Sequence, residues 1–317
     1  MATHRLDASP QTVRIGLIDR SYPPLLTVES GDEVCLSTWN LWAGEVPYGA
    51  SFDTVMEIRR RHAGHGPHSI TGPIGVRGAR PGQALRVDVL ELRVGETGLN
   101  VMAPGQQSRG LLADQFAQGS VRHFRIDRET MTAEFCEGIR LPLRPFLGIM
   151  GVAPGDAGPH ISSVPGPFGG NIDCADLVAG TTLYLPVWAD EALFYAGDAH
   201  ATQGHGEVNG TALETSMELA RLRLSIEPAL DISAPRAETP THWITMDFDP
   251  DLRTAAHRAL AAMVDLLSAS KGLERHEAYR LCSLAGDLIV TQVVNGSQGI
   301  HVRVAKSLFA PRAVGAA

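Results

Sequence analysis

Short apolar runs split by turn signals dominate the first part of the chain. Val13–Ile18, Leu25–Val28 and Val34–Ser37 are separated by Pro23-Pro24 and by Ser30-Gly31-Asp32, a pattern that predicts consecutive short strands. The Ser30-Gly31-Asp32 turn is expected to tie the second and third into a pair. From Ala84 to Val94 apolar and polar residues alternate, which predicts one long strand burying Leu85, Val87 and Val89 on a single face. His123–Asp127, Thr181–Val187 and Ala192–Ala196 continue the series, while residues 98–120 look like loop. Ala220, Leu222, Leu224 and Ile226 also alternate, although Leu213, Met217 and Leu224 would equally suit a helix.

Helical periodicity becomes clear only near the C-terminus. Asp249-Pro250 supplies an N-cap and a proline for the first helical position, Lys271-Gly272 supplies the stop, and Leu252, Ala256, Leu260, Met263 and Leu267 form the stripe to be buried. A second helix is predicted from about Glu274 to Ala285, ending at Gly286. Leu288–Val294 and Ile300–Val304 then form a closing hairpin around Asn295-Gly296. Prolines 142, 145, 154, 159, 165 and 167 exclude regular structure of more than a few residues over 142–170, a long loop of the kind that often carries function. The pattern predicts a mainly β (α+β overall) chain in three parts packed as one unit. These are an N-terminal β-rich part over 1–145, a second over 146–232, and a C-terminal α/β part over 233–317.

Composition narrows the function. The 317 residues are 44% hydrophobic and 20% charged, as in a soluble globular protein, and a net charge of −8 argues against a nucleic-acid or anionic-membrane partner. The one tight basic run, Arg59-Arg60-Arg61, follows Asp53 and Glu57 and reads as a solvated helix face or loop. No apolar run approaches a membrane span and no secretory leader is visible. The four cysteines form no C-x-x-C pair, so a reducing cytoplasmic setting is expected.

Candidate chemistry concentrates in Gly197–Glu207. Asp198 and His200 are two apart on a predicted strand and face the same way, and Gly204 and Gly206 let the backbone bring His205 and Glu207 alongside. That arrangement suits a mononuclear metal site. Asp173, at the end of Gly169-Gly170-Asn171-Ile172-Asp173, is either a further carboxylate ligand or a turn residue, and Glu214 is either near the site or solvated. His62, His65 and His68 recur every third residue, but Gly64, Gly66 and Pro67 make a helix improbable; His68, entering a strand, is the best ligand candidate of the three. A serine nucleophile paired with lysine is not supported, because Ser162-Ser163 has no lysine in a matching context. Cys174 reads as a small buried residue.

These residues resemble the acetamidase/formamidase family, amide hydrolases that include a gamma-lactamase. The carriers are GDAHATQGHGEVNGTALE at 197–214, GGNID at 169–173, TLYLPV at 182–187, HSITGPI at 68–74 and GARPG at 78–82, in matching order and spacing from about Leu25 to Phe309. The resemblance implies a β-sandwich/barrel-like fold with a smaller C-terminal α/β part containing two helices. It also implies a homo-oligomer and hydrolysis of small amides or lactams at a divalent metal, zinc expected and calcium the alternative. On that reading His68, Asp173, Asp198 and His200 are assigned to the metal, Glu207 and Glu214 to catalysis, and Asn171, Gln203 and His205 to substrate. Many members have Asp at the place of His205 and Cys at that of Asn209, so charge and hydrogen bonding differ there. A non-catalytic β-rich protein binding a metal or small ligand is the alternative, favoured if His205 closes the coordination sphere.

Overall fold

The computed structural model describes residues 1–105 and 108–309. Strands account for 42% of the chain and helices for 17%, and the main sheet does not close. Twenty strands and three α-helices occur among the described residues. The architecture turns on two long strands, β7 (Ala84–Met102) and β16 (Glu214–Glu227), which pair antiparallel along most of their length. The alternating positions Leu85, Val87 and Val89 are buried as expected, but β7 runs on to Met102, into the start of the loop-like stretch 98–120. The ambiguous segment after Gly210 is strand throughout β16, because each turn of a helix there would forfeit the β7 ladder.

Four strands around the centre are buried on both faces: β6 (Ser69–Val76), β11 (Phe146–Gly151), β14 (Thr182–Pro186) and β15 (Phe194–His200). Strands of that kind show no alternation, since neither side meets water. This explains why β11 was hidden in a proline-rich stretch; its prolines flank it, leaving six residues to pair with β15 and with β13 (Gly169–Asn171). The predicted pairing across Ser30-Gly31-Asp32 does not form. Instead β4 (Leu26–Val28) lies parallel to β6, while β5 (Asp32–Thr38) lies parallel to β1 (Thr3–Leu6) and antiparallel to β16. Burial decides this: Val28, Val34 and Leu36 all reach the main core by joining longer strands, which a two-strand hairpin could not provide.

The first helix, α1 (Phe52–Arg61), carries the basic run Arg59-Arg60-Arg61 in its last turn. Ser51 caps it, its hydroxyl accepting from the Thr54 amide at 3.2 Å, and Val55 and Ile58 are its buried face. In α2 (Leu252–Lys271) the cap is Asp251 rather than Asp249, with the Thr254 amide donating to its carboxylate at 2.9 Å. Asp249 is taken by the last position of β18 (His242–Asp249), opposite Gln298, and by an ion pair with Arg258. Gly272 closes the helix with a φ of +68°. The face against the sheet is Ala255, Ala259, Met263, Val264 and Leu267, with Leu252, Ala256 and Leu260 at its margin. α3 (Arg275–Ala285) and the hairpin of β19 (Gly286–Gln292) and β20 (Gln298–Ala305) follow as predicted. No helix among the described residues is long and apolar enough to cross a membrane.

Candidate active site

Strand register assembles the site. His200 on β15 lies opposite Glu214 on β16, Gly197 lies opposite Ile70 on β6, and Ile149 on β11 lies opposite both Gly197 and Asn171. His68 immediately precedes β6 and Asp173 follows β13, so residues scattered over nearly 150 positions converge. The fully buried strand β15 thereby presents Asp198 and His200 inside the protein, where polar groups are costly unless something satisfies them. Asn171, Asp173, Asp198, His200, Glu214, Glu207 and His68 are 1–7% exposed.

The ligand atoms of Asp173, His200 and Glu207 lie within 4.8 Å of one another, as do those of Asp198, His200 and Glu214. His200 belongs to both groups: its Nε2 is 3.1 Å from Glu214 Oε2 and 3.4 Å from Asp198 Oδ2, and its Nδ1 is 3.9 Å from Asp173 Oδ1. His68 Nε2 stands 3.8 Å from Asp198 Oδ2, and its Nδ1 is held by the Ser162 hydroxyl at 2.8 Å. Asn295 donates to Asp173 Oδ2 at 2.5 Å, and the Ala212 amide donates to Glu214 Oε1 at 2.9 Å.

Electrostatics mark the cluster as unbalanced. Burial, reinforced by Asp198, pushes the Asp173 carboxyl up to about 8, and burial together with Asp173 pushes Glu207 well above the carboxylate range. Asp198 moves the other way: burial would raise it, but His68 and His200 outweigh burial and hold it down at about 2. Burial likewise opposes protonation of His200, yet Glu214 and Asp198 raise it well above an ordinary imidazole, whereas burial wins at His68 and lowers it. Four carboxylates within reach of two imidazoles leave negative charge in excess.

A divalent cation fits this set. Asp173 Oδ1, Asp198 Oδ1, Glu207 Oε2 and both ring nitrogens of His200 are buried without a hydrogen-bond partner, an accumulation of free lone pairs that proteins otherwise avoid. Gly148 leaves the space: a Cβ there would stand 2.5 Å from Asp173 Oδ1, 2.5 Å from Asp198 Oδ2 and 2.8 Å from His200 Cε1. Mixed carboxylate and imidazole donors are those that a divalent cation takes.

The cluster opens into a cleft of about 1220 Å³, lined by Asn171, Asp198, Glu207 and Glu214 at its base and by Trp42, Phe52, Met56 and Val101 on its walls, with Arg60 and Arg109 among its cationic lining residues. Not every predicted residue reaches it. Gln203 donates from Nε2 to the Asp173 carbonyl at 2.9 Å and does not line the cleft. His205, assigned to substrate, is exposed and does not line this cleft, its ring 5.3 Å from that of His301. The backbone explains this: Gly206, with φ +96°, is bonded to both Thr291 and Val293, turning Glu207 inward and leaving His205 outside. Asn209 pairs with Asn100 at 2.8 Å. Cys174 is buried, and burial with Asp176 nearby pushes its thiol up to about 12.

Three contributors escaped the sequence reading. Ser162 has no nucleophile context, Asn295 belongs to a hairpin turn, and Gly148 falls in none of the motifs. The one sequence signal is that Ser162 and Gly148 fall in the long proline-rich stretch, a kind of loop where function concentrates.

Comparison with known proteins gives a consistent result. The profile of the Acetamidase/Formamidase family matches residues 19–163 and 161–227. The solved acetamidase of Bacillus halodurans is 31% identical, with a TM-score of 0.86 over 96% of this chain and 98% of that one. A gamma lactamase from Delftia acidovorans shares the fold at 19% identity and a TM-score of 0.66, over 97% of this chain and 93% of that one. A formamidase from Methylophilus methylotrophus is 23% identical over 236 residues, 59% of this chain; the match spans 57% of that relative's length.

Proposed function

Because the chain belongs to the acetamidase/formamidase family, we propose that it hydrolyses the carbon–nitrogen bond of small amides, linear or cyclic, giving a carboxylate and ammonia or an amine. The observation that carries this reading is Glu207 Oε2, a buried carboxylate oxygen with no partner, at the base of a cleft and beside a set of atoms suited to a divalent cation. Asp198, His200, His68 and Asp173 would hold that cation, with zinc the expected metal. When bound it supplies a Lewis acid that polarises the amide carbonyl and acidifies water.

The chain's own groups then do the proton work. Glu207 takes a proton from the attacking water and returns it to the nitrogen as the C–N bond breaks, so the carboxylate is regenerated each cycle. Its burial, which favours the protonated form, matches a group that must hold a proton between the two events. Glu214 fixes His200 from the opposite strand, and Asn171, whose Oδ1 is buried without a partner, is aimed to accept from the substrate NH₂. Ser162 holds the His68 ring and Asn295 holds the Asp173 carboxylate, which limits rotation of both. Gln203 supports Asp173 from its backbone side rather than meeting substrate. A closed, non-catalytic coordination sphere would need His205 among the ligands, and that ring packs against His301.

The test is ammonia release from formamide, acetamide and a lactam panel by chelator-treated and metal-reloaded protein. Activity is expected only after reloading. Glu207→Gln is expected to lower kcat by about 10²–10⁴, the span of general acid–base catalysis, with metal content unchanged. Full turnover by metal-free protein or by Glu207→Gln would overturn the assignment.

A further inference from the structure

Asp176, His205 and His301 make a second group of metal-capable side chains, and none of them lines the cleft. Their ligand atoms lie within 4.8 Å of one another. His301, on β20, is fully buried; its Nδ1 is 2.8 Å from the Thr291 hydroxyl, which leaves Nε2 facing the group. That nitrogen has no hydrogen-bond partner, although Asp176 Oδ2 is 3.5 Å away. Asp176 is also buried, and Arg144 and Arg303 approach its two oxygens at 3.4 and 3.2 Å. His205 completes the set from the exposed side, which gives an ion a way in from solvent.

We propose that Asp176, His205 and His301 form a second divalent-metal site, separate from the cleft and of zinc type. Two imidazoles and one carboxylate are donors for borderline transition ions rather than for calcium or magnesium, and three protein ligands leave a position for solvent on the His205 side. The Thr291 hydroxyl fixes the orientation of His301 as a second layer around the ligands, and the arginines do the same for the carboxylate. Their positive charge opposes a cation but does not decide the matter: Arg144 is more than half exposed and screened, and Arg303 also serves Asp287. The site would join the loop carrying Glu207 to the β19–β20 hairpin, reinforcing the backbone bonds between Gly206 and residues 291 and 293. It stands independently of the amide hydrolysis reading, since none of its ligands is assigned a part in that chemistry.

The experiment is calorimetric titration of the metal-stripped full chain with Zn²⁺, alongside His205→Ala and His205→Asp. Wild type is expected to bind one equivalent more than His205→Ala, and His205→Asp, which restores a ligand oxygen, to recover it. His205 is exposed, so both variants should melt as wild type does without metal; added Zn²⁺ should then raise the wild-type midpoint more than that of His205→Ala. Equal stoichiometry and equal affinity in wild type and His205→Ala would overturn the site, leaving only the close approach of His301 to Asp176 in its place. A single wild-type equivalent abolished by His205→Ala would uphold this site and remove the metal from the cleft. A single equivalent that His205→Ala retains would do the reverse.

Discussion

Three of the clustered carboxylates sit on left-handed backbone: φ is +49° at Asp173, +55° at Asp198 and +49° at Glu207. For a residue with a Cβ each such position costs about 1–2 kcal/mol, so the cluster is strained as well as crowded with like charge. Glu207→Gly should relieve that strain and remove a buried acid; against the extra chain entropy of glycine, the net gain is expected at about 1 kcal/mol in the metal-free protein. Urea unfolding of stripped wild type and variant would show it as a higher midpoint for a variant with no amide turnover, and a lower midpoint would contradict it. Gly148 tests the cradle. A methyl group 2.5 Å from two carboxylate oxygens must displace them, so Gly148→Ala should lose bound metal and turnover at a stability cost of about 1–3 kcal/mol, the usual range for overpacking. Gly204→Ala in the same motif meets nothing within 4 Å and should leave metal content as it is.

At the scale of elements, β1 shows how a short edge strand is kept. Asp32, at the start of β5, accepts from the Ala2 amide at 2.6 Å, from His4 at 2.9 Å and from the Glu29 amide at 3.2 Å, and the first two of these bonds hold its carboxyl down at about 2. A carboxylate lowered on folding stabilises above its unfolded value near pH 4 and loses that contribution as pH falls toward 2. Hydrogen exchange of Thr3–Leu6 should therefore accelerate between pH 4 and 2 beyond the intrinsic rate, while Asp32→Asn should exchange fast already at neutral pH. A pH-independent wild type would refute this. The same strands show what the sequence made legible. Asp198 and His200 could be placed because a strand leads into their motif, and Leu85, Val87 and Val89 because one face of β7 is buried. The parallel pairing of β1 with β5 could not be read, because it depends on which distant strand offers the larger core. Ser162 and Asn295 were hidden for a similar reason: each touches one partner 94 or 122 residues away, and nothing in its own neighbourhood reports it. His205 stands apart from the cleft because of the turn at Gly206, which position along the chain does not report.

For the molecule as a whole, charge and shape point to the substrates worth testing. The chain carries a net charge of −8, yet the exposed Arg60 and Arg109 line the cleft, with one exposed acid, Asp53, beside them and the carboxylates of Asp198, Glu207 and Glu214 buried at its base. Such a gradient, cationic mouth over a cation-seeking floor, draws an anionic group to the rim while leaving a neutral amide free to reach the bottom. The cleft, at about 1220 Å³, is also far larger than formamide requires; even drug-sized ligands occupy pockets of roughly 300–1,000 Å³. An amide with a carboxylate several bonds from its carbonyl fits both facts. Its KM should rise when ionic strength goes from about 0.01 to 0.15 M, because the Debye length falls from about 30 to about 8 Å and the rim charge is screened. The KM for acetamide should not move over the same range. Arg109→Gln should raise KM for the charged amide only and reduce its salt dependence, with kcat unaltered because the proton-transferring group lies at the base. Equal salt response for charged and neutral amides would show that the rim arginines serve the fold or a neighbouring surface and take no part in substrate choice.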